Sequence, residues 1–157
     1  MSMSCSRSCL RGAWLLLAAA LLASCSGIPL QQREAAERDR FEAYAGKPVD
    51  HFTWLTSYNG WEPVSPNQLV LWTDINTAYL ITVFQPCTDL MFVHRIGLTP
   101  TADTIYAHFD SVRADHWRCM IKTIQPVDYL RMEHDLRKQR EAEKAQKKSQ
   151  AAPQPGG

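Results

Sequence analysis

The feature that most limits the fold is a change of hydrophobic period at Pro48. Residues before it are strong helix formers, whereas those after it fall into six short runs rich in β-branched and aromatic residues, separated by turn residues. The runs are His51–Thr56, Gln68–Thr73, Ala78–Phe84, Leu90–Ile96, Tyr106–Arg113 and Arg118–Gln125. Asp74-Ile75-Asn76-Thr77 predicts a hairpin between the second and third runs, and Asp115-His116 a short turn between the last two. Asn59-Gly60, Pro63 and Ser65-Pro66-Asn67 break the chain between the first two. Six short strands with brief connections and no intervening helix predict an α+β protein, mostly β. Its single antiparallel sheet curls into a barrel or roll of about six strands, with terminal helices packed on it. Alternation in the last run puts Cys119, Ile121 and Thr123 on one face and Arg118, Met120 and Lys122 on the other.

Residues Gln31 to Tyr44 predict the N-terminal helix: Glu34, Ala35, Ala36, Glu37 and Arg38 favour it, and Glu34 and Arg38 stand at i, i+4. Gly46 and Pro48 end it, and Phe41, Tyr44 and Ala45 supply the apolar patch that docks it. A second helix is expected over Arg131–Lys148, with Glu133–Arg137 and Glu143–Lys147 spaced for ion pairs. Beyond Leu136 it holds no apolar residue larger than alanine up to Lys148, so it is expected to be solvated and to fray into a disordered Ser149–Gly157 end.

Residues 1–24 have the layout of an export signal. Arg7 and Arg11 stand without an acid, and an apolar run follows from Ala13 to Leu22. Such a run is too short for a stable span, which takes about 20 residues, and is expected to be cleaved. It closes with Leu22-Ala23-Ser24-Cys25, which resembles the lipobox of bacterial lipoproteins, where the cysteine is acylated on sulfur and becomes the first mature residue. The alternative is an ordinary signal peptide with a small-residue cleavage site beside a chance cysteine. Ser26, rather than an aspartate, follows Cys25 and favours the outer membrane facing the periplasm. Ser26–Gln32 is then a flexible spacer.

With Cys5 and Cys9 removed with the signal and Cys25 lipidated, Cys87 and Cys119 remain. In an oxidising compartment the simplest use of two such cysteines is a structural disulfide. The alternative, a redox pair, usually shows Cys-x-x-Cys spacing, and these two are 32 residues apart. Charge is unevenly spread: Phe41–Leu130 holds 5 Lys/Arg against 9 Asp/Glu, and Arg131–Gly157 holds 7 against 4. An acidic domain with a basic tail and no basic aromatic stripe does not suit nucleic acid.

Several segments together carry a resemblance. They are Phe41-Glu42-Ala43-Tyr44-Ala45-Gly46-Lys47-Pro48-Val49, Gly60-Trp61, Leu69-Val70-Leu71-Trp72-Thr73, Ala78-Tyr79-Leu80, Cys87, Ile96-Gly97-Leu98-Thr99, Phe109-Asp110-Ser111-Val112 and Arg118-Cys119-Met120-Ile121-Lys122-Thr123-Ile124. In order and spacing they resemble a family of short proteobacterial lipoproteins known only as a domain of unknown function. The resemblance spans roughly Phe41 to Tyr129 and implies the envelope location and a Cys87–Cys119 pairing. It implies no substrate, cofactor or catalytic residue.

Two constellations suit ligands. Trp54, Tyr58 and Trp61 surround a Gly/Pro-rich loop and present rings of the kind that stack on sugars, Trp61 being the one expected to be exposed; small β-domains more often use such aromatics as core. His108, Asp110, Asp115 and His116 flank one hairpin, with His108 and Asp110 on one face by alternation, and offer metal-ligating types; the plain alternative is an exposed polar hairpin. No Gly-x-Ser-x-Gly, Ser-x-x-Lys or His-Glu-x-x-His motif occurs, and Ser57, Ser65 and Ser111 fall in turn or strand contexts.

The expected organisation is a lipoprotein signal over 1–24, a lipidated Cys25 with spacer and helix start over 25–40, a β-rich domain over 41–130 and a charged tail over 131–157. The expected role is a non-enzymatic component of the bacterial envelope, anchored to the outer membrane, without cofactor, contacting envelope proteins. The rival class is a ligand-binding module for a small molecule, glycan or metal.

Overall fold

Two strands in the middle of the chain carry apolar side chains on both faces, and the architecture follows from covering both. The computed structural model describes residues 29–150 apart from 55–56 and 88–89, so the expected signal, Cys25 and residues 26–28 of the spacer lie outside the described residues, while Leu30–Gln32, expected as flexible spacer, already belong to the first helix. Strands β1 (His51–Thr53), β2 (Gly60–Ser65), β3 (Gln68–Asp74), β4 (Thr77–Val83), β5 (Ile96–Leu98), β6 (Thr104–Tyr106), β7 (Ser111–Ala114) and β8 (Trp117–Val127) lie between helices α1 (Leu30–Ala43) and α2 (Tyr129–Gln150). Six strands form an antiparallel half-barrel in the order β2-β3-β4-β8-β7-β5, and β1 pairs with β6 as a separate ribbon. The expected α+β class, rich in strand with a helix at each end, is the observed one.

In β3 and β4, Leu69, Leu71, Ile81 and Val83 point into the concave side, where they meet Phe52 of β1 and Ile105 of β6. Val70, Ala78 and Leu80 point to the convex side and are covered by Phe41 of α1 and Met132 of α2. A strand buried on both faces reads as a continuous apolar run, and Leu69-Val70-Leu71 is one. Each fully buried Leu or Ile contributes about 1.5–3 kcal/mol by leaving water.

The helices are fixed at their domain ends. Gly46 N donates to Pro126 O at 2.7 Å, and a side chain at Gly46 would meet Pro126 at 3.3 Å. Tyr44 Oη donates to Asp135 Oδ2 at 3.0 Å, joining α1 to α2 and holding the Asp135 carboxyl below its ordinary range. Asp128 caps α2 by accepting from Arg131 N at 3.2 Å. Arg38 pairs with Asp39 at 2.8 Å and reaches Glu42 at 3.9 Å, rather than the expected Glu34. From Arg137 to Gln150 every residue is exposed, as the lack of apolar residues predicts; residues 151–157 lie outside the described residues.

Four expectations need correction. Leu90–Ile96 is not a strand: Leu90–Phe92 is a 3-10 turn, and Leu90 and Val93 enter the core at a spacing of three that suits a helical turn. Gly60–Ser65, expected as a break, is an edge strand that tolerates Pro63 because it pairs with β3 alone among the main-sheet strands. Tyr106–Arg113 is not continuous. It divides at a turn around His108, whose φ of 63° suits a turn and not a strand. In β8, Lys122 is an extra residue between Val83↔Ile121 and Thr82↔Thr123, so Ile124 and not Thr123 joins Cys119 and Ile121 in the core.

Cys87 and Cys119 are joined by a disulfide with Cα atoms 5.7 Å apart. It ties the segment after β4 to β8, an interior strand, whereas the edges of the main sheet are β2 and β5. The double variant Cys87→Ala/Cys119→Ala is expected to lose about 3–4 kcal/mol in urea unfolding. An unchanged midpoint would show that the bond carries no stability.

Candidate functional site

The aromatic trio expected to form a ligand platform is built into the concave core. Trp54 is 8% exposed, its ring lies 5.9 Å from that of Tyr58, and the Tyr58 hydroxyl donates to Ile96 O at 3.1 Å. Trp61, expected to be exposed in a loop, sits on β2 opposite Leu71 and packs half-buried against the same core. Its indole lies along the flank of the sheet.

The His108–His116 hairpin also separates. Asp110 is 3% exposed, and its carboxylate accepts from Tyr106 N at 2.7 Å and Thr101 Oγ1 at 3.1 Å, which commits it to holding the turn. His108 is exposed, with its ring 5.6 Å from that of Phe84. Asp115 and His116 form the exposed β7–β8 turn. Among the described residues no group of three or more His, Cys, Asp or Glu side chains is placed to hold a metal ion.

Surface concavities lie elsewhere among the described residues. One, of about 370 Å³, is lined by Asn59, Gly60, Trp72, Asp74, Ile75 and Tyr129. Trp72 is held in T-shaped contact by Phe41 at 6.1 Å and Tyr129 at 5.8 Å, so the ring is part of the convex core as much as of the cleft. Another, of about 300 Å³, is lined by Arg95, Ile96, Gly97, Leu98, Arg113 and Asp115. Arg113 stands opposite Gly97 on β5 and opposite Arg118 on β8, which makes a row across three strands. Two arginines paired across strands repel one another. Among the described residues, neither they nor Arg95 and Lys122 form an ion pair.

Where α1 meets β2, Arg40 bonds Glu37 at 2.7 Å, and its guanidinium lies 4.9 Å from the Phe41 ring centroid. Burial raises the Glu62 carboxyl above its ordinary range, and the adjacent Glu37 carboxylate adds to the rise.

These arrangements sit within a sequence pattern shared well beyond the domain, since the family model described as "Family of unknown function (DUF6491)" matches residues 8–150. The chain belongs to this family. No curated protein and no solved structure matches it. The family supplies no activity, so the chemistry rests on the residues themselves. The arginine row escaped the sequence reading because it depends on register across strands far apart in the chain. One signal was present: of the five Lys/Arg between Phe41 and Leu130, four fall between Arg95 and Lys122.

Two predictions follow from this geometry. Glu62 binds its proton more tightly when folded, so its contribution to stability is fully present below the unfolded value of about 4.3 and is lost as pH rises through the raised folded value. Glu62→Gln is expected to flatten the urea midpoint between pH 4.5 and 7.5 and raise it at pH 7.5; a wild-type slope in that variant would remove Glu62 as the cause. Trp117, at 58% exposure, is expected to supply most acrylamide-quenchable fluorescence of the folded domain, while Trp61 stays protected. Quenching that survives Trp117→Phe but is abolished by Trp61→Phe would contradict this placement.

Proposed function

We propose that the protein is a lipid-anchored component of the bacterial envelope, held at the outer membrane through Cys25 and facing the periplasm, where it works by contact and not by catalysis. The observation that carries this reading is the Cys87–Cys119 disulfide, because such bonds persist in oxidising compartments. It agrees with the apolar run Ala13–Leu22 and the Leu22-Ala23-Ser24-Cys25 ending. Multiple acyl chains on Cys25 would hold the chain to the bilayer.

A non-catalytic role is favoured by what the buried polar groups do. Ser65 donates within its turn to Asn67 and Gln68, and Asp110 and Ser111 hold the Thr99–Thr101 segment. Each is used to maintain the fold. The exposed side chains suit contact instead: Phe92 is 76% and Phe109 70% exposed, and such apolar surface fits envelope proteins as partners.

The test is the mass of the mature chain purified from membranes, alongside fatty-acid labelling of wild type and Cys25→Ser. The expected chain begins at Cys25 and carries acyl groups, and the variant takes up no label and is lost from the detergent-extracted outer membrane. An unmodified mature chain, or one beginning elsewhere, would overturn the anchor.

A further inference from the structure

The domain is acidic overall, yet its positive charge is gathered at one place. Arg95, Arg113, Arg118 and Lys122 are all exposed and are four of its five cations. Register sets Arg113 and Arg118 opposite each other, with Cβ atoms roughly 5 Å apart. Such juxtaposition is unfavourable until an anion lies between the guanidinium groups. On the other side of Arg113 stands Gly97, which offers no side chain and leaves the floor of the cleft open. Arg95 lines the same cleft, and Asp115 offsets only one of the two arginine charges there, with Arg118 standing beside Arg113 on the next strand.

We propose that this arginine-flanked cleft over Gly97 binds the phosphoryl group of an anionic membrane lipid. Guanidinium groups match phosphate oxygens with paired hydrogen bonds, and both Arg95 and Arg113 line this cleft. None of the ion pairs among the described residues involves Arg95, Arg113 or Arg118, which leaves these guanidinium groups available to a ligand. The surroundings favour a lipid over a soluble phosphate: Met120, two residues on from Arg118 and on the same face of β8, is 48% exposed. Amphipathic and apolar side chains beside basic ones suit the headgroup boundary of a bilayer. The choice of a membrane as source rests on the anchored reading above; the phosphoryl chemistry of the cleft does not.

The test uses the chain from Ser26 to Gly157 with its disulfide formed. That chain retains the compact unit Glu34–Gly157, which holds both hydrophobic cores, and lacks Cys25, so the outcome is independent of lipidation. Co-sedimentation is measured with vesicles of phosphatidylglycerol and phosphatidylcholine, and with phosphatidylcholine alone, at fixed ionic strength. Binding is expected only to the anionic vesicles and to weaken roughly 30-fold in Arg113→Gln/Arg118→Gln. Gly97→Leu is expected to weaken it as well without changing charge. A Cβ at Gly97 makes only an ordinary 3.9 Å contact with Arg113, so this variant keeps the fold while filling the cleft. Lys47→Gln, which removes the remaining domain cation, is expected to leave binding unchanged. Equal binding to neutral vesicles, or equal loss with Lys47→Gln, would overturn the proposal. Binding that survives both cleft variants would assign it to the basic helix Arg131–Lys148 instead. Inorganic phosphate that binds in calorimetry as tightly as the anionic vesicles would overturn the lipid source.

Discussion

Strand β8 hydrogen-bonds to β4 through Ile121–Val127 and to β7 through Trp117–Met120, so the two parts of the sheet meet where this strand changes its partners. That junction holds the two cores in register. Ile121 and Ile124 enter the concave core, and Val127 enters the convex one beneath the helices. The extra residue at Lys122 makes this possible by shifting the side-chain period once within the strand. A strictly alternating strand would have sent Ile124 to the convex face.

The remaining features arrange themselves around this junction. The disulfide adds a covalent tie between Cys119 and the segment leaving β4, on a strand already central to both cores. Helix α1 and the start of α2 cover the convex face of β3 and β4, while the convex side of β7 and the first half of β8 carries Arg113, Arg118 and Met120 exposed. The arginine cleft thus lies on sheet left uncovered by the helices. In the reading proposed here, the same domain that hangs from a lipid at Cys25 also offers that uncovered surface to the membrane.

Much of this was legible from residue order. The period change at Pro48, the hairpin at Asp74–Thr77, the turn at Asp115-His116 and the end of α1 before Gly46 all follow from local chemistry, and local chemistry is what sequence states directly. The misreadings share a cause: they depend on partners distant in the chain. Pro63 and Gly60 carry turn signals but lie on a strand because β3 is available to pair with them. Leu90-Met91-Phe92-Val93 is apolar enough for a strand, yet Leu90 N bonds to Pro66 O and the chain turns there. Asp110 looked like a ligand donor, and its use in holding Tyr106 and Thr101 is set by a turn that no spacing announced. The arginine row follows the same rule, since only β5, β7 and β8 together create it.

The most direct measurement is the intact mass of the native protein, taken from membranes, alkylated without reduction and then weighed. The predicted species begins at a lipidated Cys25 and carries no alkyl group on Cys87 or Cys119. A species with two alkylated cysteines and no acyl mass would contradict the account at both its anchor and its brace.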